Sequence, residues 1–292
     1  MNLPEGKTVL ITGGNSGIGF EAARFFAKKN NRLILAIRSL EKGEEARKTI
    51  LNETPTASVS LMHLDLASLE SIRKFIAKIK EERIDIDVFY ANAGIYRVPF
   101  STLYHGLESH MAVNYASNYY LYEGLKDYFH SLNHQVRWIL TSSIVARFVK
   151  INDGDLQGEK KYDKARAYQK SKLAVNHLFL YMCEKEEGTN ILPLLVHPGV
   201  AYTPLIQKAF PGKRFSIAAR RFVRAFTHSA TKASLCALRL CEIDIQSPCF
   251  CGPRGIGHIS GYPKIYRLYR GNIKDVDGLI HQIRFDSDCE NI

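Results

Sequence analysis

The chain of 292 residues is 46% hydrophobic and 24% charged, with 20 glycines and 10 prolines, values that exclude a disordered, collagen-like or disulfide-scaffold protein. This length supplies a full hydrophobic core, and we read residues 1–292 as one α/β domain. The formal net charge of +11 leaves nucleic acid, an anionic membrane surface and an anionic ligand to be weighed as partners.

The lead-in Met1–Lys7 lacks a basic start followed by an apolar run, and no stretch reaches the ~18 uninterrupted apolar residues of a membrane span. Secretion and integral insertion are therefore not expected, and a cytoplasmic location is. The six cysteines, at 183, 236, 241, 249, 251 and 289, fit free thiols in a reducing compartment. Cys249 and Cys251 lack a second pair of ligands at zinc spacing, so no metal site is expected. His130 and His134 fall where a helix ends and read as a surface pair.

Short aliphatic runs alternate with longer helical stretches, the signature of stacked βαβ units. Strands are expected near 7–12, 32–38, 58–64, 87–91, 136–142, 190–196 and 248–251. Helices are expected near 17–29, 41–53, 68–82, 104–130, 164–187, 204–226 and 228–242. Right-handed crossovers make this a doubly wound Rossmann sheet, seven-stranded and mostly parallel with helices on both faces, whose ligands collect at the carboxyl ends of the strands.

The first strand runs into Thr12-Gly13-Gly14-Asn15-Ser16-Gly17-Ile18-Gly19 and then a helix. Glycines permit a tight turn and close approach to a pyrophosphate, and the free N–H groups of the helix start attract the anion. The bland alternative is a strand-to-helix turn with no ligand. At the end of the second strand, where an NAD enzyme carries an acidic residue for the ribose 2′-hydroxyl, this chain has Arg38-Ser39. A 2′-phosphate can accept from both, which favours NADP(H) over NAD(H); the competing reading is a solvated arginine. Asp65, followed by Leu66, either caps a helix or accepts from the adenine amino group.

Further on, Asn92-Ala93-Gly94 closes the fourth strand, Asn114 lies in Val113-Asn114-Tyr115, Ser142-Ser143 closes the fifth, and Tyr168-Gln169-Lys170-Ser171-Lys172 opens the next helix. Together these resemble the short-chain dehydrogenase/reductase family, single-domain type, from Lys7 to about Thr203. Asp155-Leu156-Gln157-Gly158-Glu159-Lys160 and His197-Pro198-Gly199-Val200 resemble its retinol-dehydrogenase-like branch. A second Tyr-x-x-x-Lys, Tyr122 to Lys126, sits mid-helix before the fifth strand, away from the expected cofactor edge, and reads as packing or surface.

The resemblance implies Tyr168 as general acid/base, with Lys172 four residues on along the same helix face favouring phenolate. It implies Ser143, rather than Ser142, as the group that steadies the substrate oxygen, since neighbouring strand residues point oppositely. Lys172 would also hold the nicotinamide ribose, and Asn114 would anchor a water-linked proton path to Lys172. Asn92, Ala93 and Gly94 would line the adenosine-ribose side, and Pro198, Gly199, Val200 and Thr203 the nicotinamide, with Val200 bonding the carboxamide through its backbone.

After Thr203 the family's substrate-covering segment, here 203–228, is aromatic and basic. Phe210, Phe215, Phe222 and Phe226 interleave with Lys208, Lys213, Arg214, Arg220, Arg221 and Arg224. No nucleic-acid motif accompanies them, so the stretch 208–224 is read either as a peripheral contact with an anionic bilayer or as a core-packing helix with a solvated basic side. Residues 253–292 extend beyond the catalytic core, to complete the pocket or a homo-oligomer contact. The leading expectation is an NADP(H)-dependent oxidoreductase acting on a small hydrophobic carbonyl or alcohol. The alternatives are a non-catalytic nucleotide sensor or interaction protein of the same fold, and a reductase of carbon–carbon double bonds.

Overall fold

The computed structural model describes residues 5–150, 157–158, 161–201, 229–242, 244–255 and 258–266. Thr203, the covering segment 203–228 with its basic stretch, and most of the motif at 155–160 lie outside these residues, as does the chain beyond 266.

Strands β1 (Thr8–Thr12), β2 (Arg32–Ile37), β3 (Ser58–His63), β4 (Val88–Ala91), β5 (Val136–Thr141), β6 (Ile191–Val196), β7 (Cys249–Pro253) and β8 (Pro263–Tyr266) form one sheet in the order β3-β2-β1-β4-β5-β6-β7-β8. All pairs are parallel except β7 with β8. The eighth strand corrects the expected seven. It is four residues long, starts on a proline and follows Gly261-Tyr262, so its sequence reads as a turn; Pro is tolerated there because the strand lies at the sheet edge.

Helices α1 (Gly17–Ala27), α2 (Leu40–Glu53), α3 (Leu69–Glu81), α4 (Ser117–His130), α5 (Lys164–Lys185) and α6 (Ala230–Leu240) cover both faces. Because side chains alternate along a strand, Leu10, Ile34 and Phe89 join the core under α3, α4 and α5. Val9, Ile11, Leu33 and Leu35 join the core under α1 and α6. Trp138 anchors the first core, stacked on Phe89 with ring centroids 4.3 Å apart.

The expected helix 104–130 is not continuous. Residues 101–109 form a tight loop closed by the bridge between Thr102 and Glu108, with His105 at φ 55° and Gly106 at φ 67°. A wide π-turn, Met111–Ala116, then precedes α4. Such turns recur at functional sites because they displace a side chain from the regular helical register, and Asn114 lies in this one. No described helix is long and apolar enough to cross a membrane.

Candidate active site

Strand order reverses between β1 and β4, and the glycine turn opens there. Gly13 and Gly17 adopt φ of 66° and 57°, a left-handed geometry that glycine takes without a Cβ penalty. A Cβ at Gly19 would lie 2.5 Å from Asn92 Nδ2 and 2.8 Å from the Gly13 carbonyl, so only glycine lets α1 start this close to β4. The first turn of α1 carries no acidic residue, and the exposed Ser16 side chain does not cap it. Asn15, Ser16 and Ile18 lie in this partly open turn. The result is a backbone cradle with uncapped N–H groups, which fits a pyrophosphate.

Thr12, which sequence reasoning passed over, fastens the cradle to β4. Its Oγ1 accepts from the backbone N–H of Asn92 at 3.0 Å and of Ala93 at 2.9 Å, and its carbonyl accepts from Asn92 Nδ2 at 3.0 Å. Arg38 is exposed and has no carboxylate partner among the described residues. Ser39 caps α2, accepting from the Lys42 N–H at 3.4 Å, and its own proton remains available to donate. Asp65 does not cap α3: Ser68 does, accepting from the Ser71 N–H, while Asp65 Oδ1 takes the Ala67 N–H at 3.0 Å. Leu66 is buried beside it.

At the carboxyl ends of β4 and β5 four expected residues converge. Ser142 turns away, donating to Asn176 on α5, whereas Ser143 lies on the Tyr168 side, where it favours the ionised phenol. The geometry thus separates the two serines as strand alternation requires. Lys172 Nζ donates to the Thr141 carbonyl at 2.8 Å and lies 5.9 Å from the Tyr168 ring centroid. Asn114 Nδ2 donates to Ser171 Oγ at 2.9 Å, Ser171 Oγ donates to the Tyr168 carbonyl at 2.8 Å, and Asn114 Oδ1 accepts from the Ile95 N–H at 2.8 Å. A Cβ at Gly94 would lie 2.8 Å from Asn114 Oδ1 and 3.6 Å from Lys172 Nζ, which places all three residues around one point. Ser171 and the Thr141 carbonyl are the joints that motif reading missed. Neither belongs to a spacing pattern, and the carbonyl carries no side-chain signal.

The electrostatics differ from the simple expectation of a depressed tyrosine. Burial pushes the Tyr168 phenol up to about 12, with the neighbouring Ser143 opposing. Burial also pushes Lys172 down to about 8, which weakens the cation meant to favour phenolate. In the protein alone desolvation outweighs charge, and Tyr168 holds its proton.

After β6, His197 Nδ1 accepts from the Gly199 N–H at 3.1 Å, and Gly199 sits at φ 77°. Pro198 and Gly199 thus form a fixed turn after β6. The Val200 N–H donates to the Ile259 carbonyl at 2.8 Å, leaving only its carbonyl for a ligand. That bond ties the segment between β7 and β8 to the turn after β6.

The second Tyr-x-x-x-Lys pair lies elsewhere: Tyr122 is buried and donates to Glu186, and Lys126 pairs with Glu123 at 2.7 Å. His130 and His134 do not converge, bonding Glu186 and Asp85 separately.

Residues 7–214 match the family model described as short chain dehydrogenase. The chain is 39% identical over 201 residues to retinol dehydrogenase 13 of Homo sapiens, covering 68% of this chain and 60% of that protein. It is 36% identical over 207 residues to human retinol dehydrogenase 12, covering 69% and 64%. With human polyprenol dehydrogenase it shares 32% over 216 residues, covering 72% and 65%. The matched region therefore spans 60% to 65% of these curated relatives. Among solved structures, an uncharacterised protein from Mycobacterium paratuberculosis superposes with a TM-score of 0.71 at 27% identity, covering 92% of this chain and 88% of that one. A short chain dehydrogenase from Shigella flexneri complexed with NADP shares the fold, with a TM-score of 0.65 at 20% identity over 85% and 98%.

Proposed function

Since the chain belongs to the short chain dehydrogenase family, we propose that it is an NADP(H)-dependent oxidoreductase interconverting a hydrophobic alcohol and its aldehyde or ketone. The observation that carries this reading is the grouping at the carboxyl edge of β5, where Lys172 Nζ on the Thr141 carbonyl lies 5.9 Å from the Tyr168 ring centroid and Asn114 reaches the Tyr168 carbonyl through Ser171.

When bound, the nicotinamide supplies or takes up the hydride at the substrate carbon. The cradle of Gly13, Asn15, Ser16, Gly17, Ile18 and Gly19 would hold the pyrophosphate, and Arg38 with Ser39 a 2′-phosphate. Asp65 and Leu66, with Asn92, Ala93 and Gly94, would border the adenosine. Pro198, Gly199, the Val200 carbonyl and Thr203 would border the nicotinamide. In reduction Tyr168 donates its proton to the substrate oxygen as C=O becomes CH–OH, and in oxidation it takes the proton back. Ser143 hydrogen-bonds the same oxygen and stabilises its growing negative charge. Lys172, held on the Thr141 carbonyl, is pushed into a range where it exchanges protons near neutral pH. Asn114 holds α5 to the β4 loop through Ser171.

A hydrophobic substrate is supported by the names of the relatives, since retinol and polyprenol are long apolar alcohols. We place peripheral bilayer contact in the basic stretch 208–224. The test is NADPH and NADH oxidation by purified protein across aldehydes and ketones of increasing apolar length. Turnover with NADPH that rises with chain length is expected. Tight NADPH binding with no turnover across the panel would move the assignment to a nucleotide sensor or a double-bond reductase.

A further inference from the structure

Beside Tyr168 lies a buried polar cluster that the proposed reaction does not use. Glu108 is 1% exposed and His110 is fully buried. Glu108 Oε1 lies 2.8 Å from His110 Nδ1 and accepts from the Tyr162 hydroxyl at 2.8 Å, while Oε2 accepts the backbone N–H groups of His110 at 2.9 Å and Met111 at 3.2 Å. The Val98 N–H donates to His110 Nε2 at 3.4 Å, which makes Nε2 the acceptor and Nδ1–H the donor to Glu108 Oε1. No lysine or arginine pairs with Glu108 among the described residues. Burial works against its charge, but the hydrogen bonds from His110 and Tyr162 prevail and hold the carboxyl below its ordinary range.

These residues come from three segments that carry the site. Val98 belongs to the loop after β4, which also bears Tyr96, whose ring meets Tyr168 edge-on at 4.6 Å. His110 leads into the π-turn holding Asn114, and its own ring stands at 71° to Tyr168 with centroids 6.2 Å apart. Tyr162 immediately precedes Asp163, the cap of α5, and lies six residues before Tyr168. Tyr168 is therefore flanked by Tyr96 and His110, and one carboxylate fixes the backbone behind both flanks and the entry to its own helix.

We propose that Glu108, His110 and Tyr162 form a positioning clamp that locks the β4 loop to the start of α5 and so sets the orientation of the Tyr168 hydroxyl toward Ser143. What the clamp serves rests on the oxidoreductase reading; its existence as a mechanical link does not. Misplacement of a reacting group by a fraction of an ångström lowers turnover while binding elsewhere persists. The clamp thus acts on kcat and leaves the distant adenosine side untouched.

The experiment compares wild type with Tyr162→Phe, which keeps the ring against Phe100 but removes the hydroxyl's bonds to Glu108 and to the Val98 carbonyl, and with Glu108→Gln, which keeps an acceptor oxygen and the direct Tyr162–Val98 link without the charge. Hydrogen exchange of the whole chain is followed together with kcat, the KM for a carbonyl and the NADPH Kd. The expected result for Tyr162→Phe is faster exchange at both 95–100 and 161–168 with α1 unchanged, a kcat lowered on the order of tenfold and an NADPH Kd within about twofold of wild type. Glu108→Gln is expected to fall between the two proteins. Exchange that rises in only one of the two segments, or a kcat equal to wild type in an active enzyme, overturns the clamp. If wild type turns over no carbonyl, the oxidoreductase reading fails by itself, and the paired exchange response still decides whether the link exists.

Discussion

Replacing Lys172 with methionine should change how stability depends on pH. The side chain is 5% exposed and burial moves its pKa from 10.5 to about 8, a difference worth roughly 3 kcal/mol. The unfolded chain keeps the proton up to about pH 10.5, whereas the folded protein sheds it near pH 8. Between those values unfolding takes up a proton, so stability rises with pH, and the full cost of burying the charge is present below pH 8. Lys172→Met removes that cost but also loses the bond to the Thr141 carbonyl, a loss that is constant with pH. The difference in unfolding free energy between wild type and variant should therefore shift by about 2 kcal/mol in favour of wild type from pH 7.5 to pH 10. Tyr168 and the buried thiols Cys241 and Cys249, pushed up to about 12, 12 and 11, are present in both proteins and cancel to first order. Urea unfolding without added cofactor measures the difference. Parallel pH profiles for the two proteins would refute the reasoning.

Thr12→Val leaves the N–H groups of Asn92 and Ala93 without their acceptor and should cost about 2 kcal/mol of stability, measured by urea unfolding, with a weaker NADPH Kd. Arg38→Glu places a carboxylate where the 2′-phosphate is expected, and should lower the ratio of kcat/KM for NADPH over NADH by roughly ten- to a hundredfold, since a charge-assisted bond is lost. Tyr122→Phe removes the donor to the buried Glu186. A thermal melt should show a loss of about 1–2 kcal/mol, while kcat stays at the wild-type value.

The fold was legible wherever a long pattern repeated. Six of the parallel strands follow aliphatic runs such as Leu33-Ile34-Leu35-Ala36, and the glycine turn announces itself between strand and helix. Legibility ended where backbone geometry made the element. His105 and Gly106 break the expected helix at 104 through left-handed φ, and β8 is too short and too proline-marked to show periodicity. Within the site, Asn114, Ser143, Tyr168 and Lys172 were singled out by resemblance to a known family. Thr12, Ser171 and the link from Glu108 to Tyr162 were not, because each joins segments far apart in sequence: Thr12 meets Asn92, Ser171 meets Asn114 and Glu108 meets Tyr162. The tyrosine's acidity was misjudged for a related reason, as spacing reveals the neighbouring lysine but not the burial that acts on both groups.

The central claim is that Tyr168 exchanges the proton with the substrate, and its most direct measurement is NADPH oxidation with a hydrophobic aldehyde by wild type and Tyr168→Phe, with NADPH binding titrated in both. Phenylalanine keeps the ring between Tyr96 and His110 and deletes only the hydroxyl. The account predicts unchanged NADPH affinity and turnover reduced at least about a hundredfold, the scale of general acid catalysis. Turnover within a few-fold of wild type would contradict it and place the proton donor elsewhere.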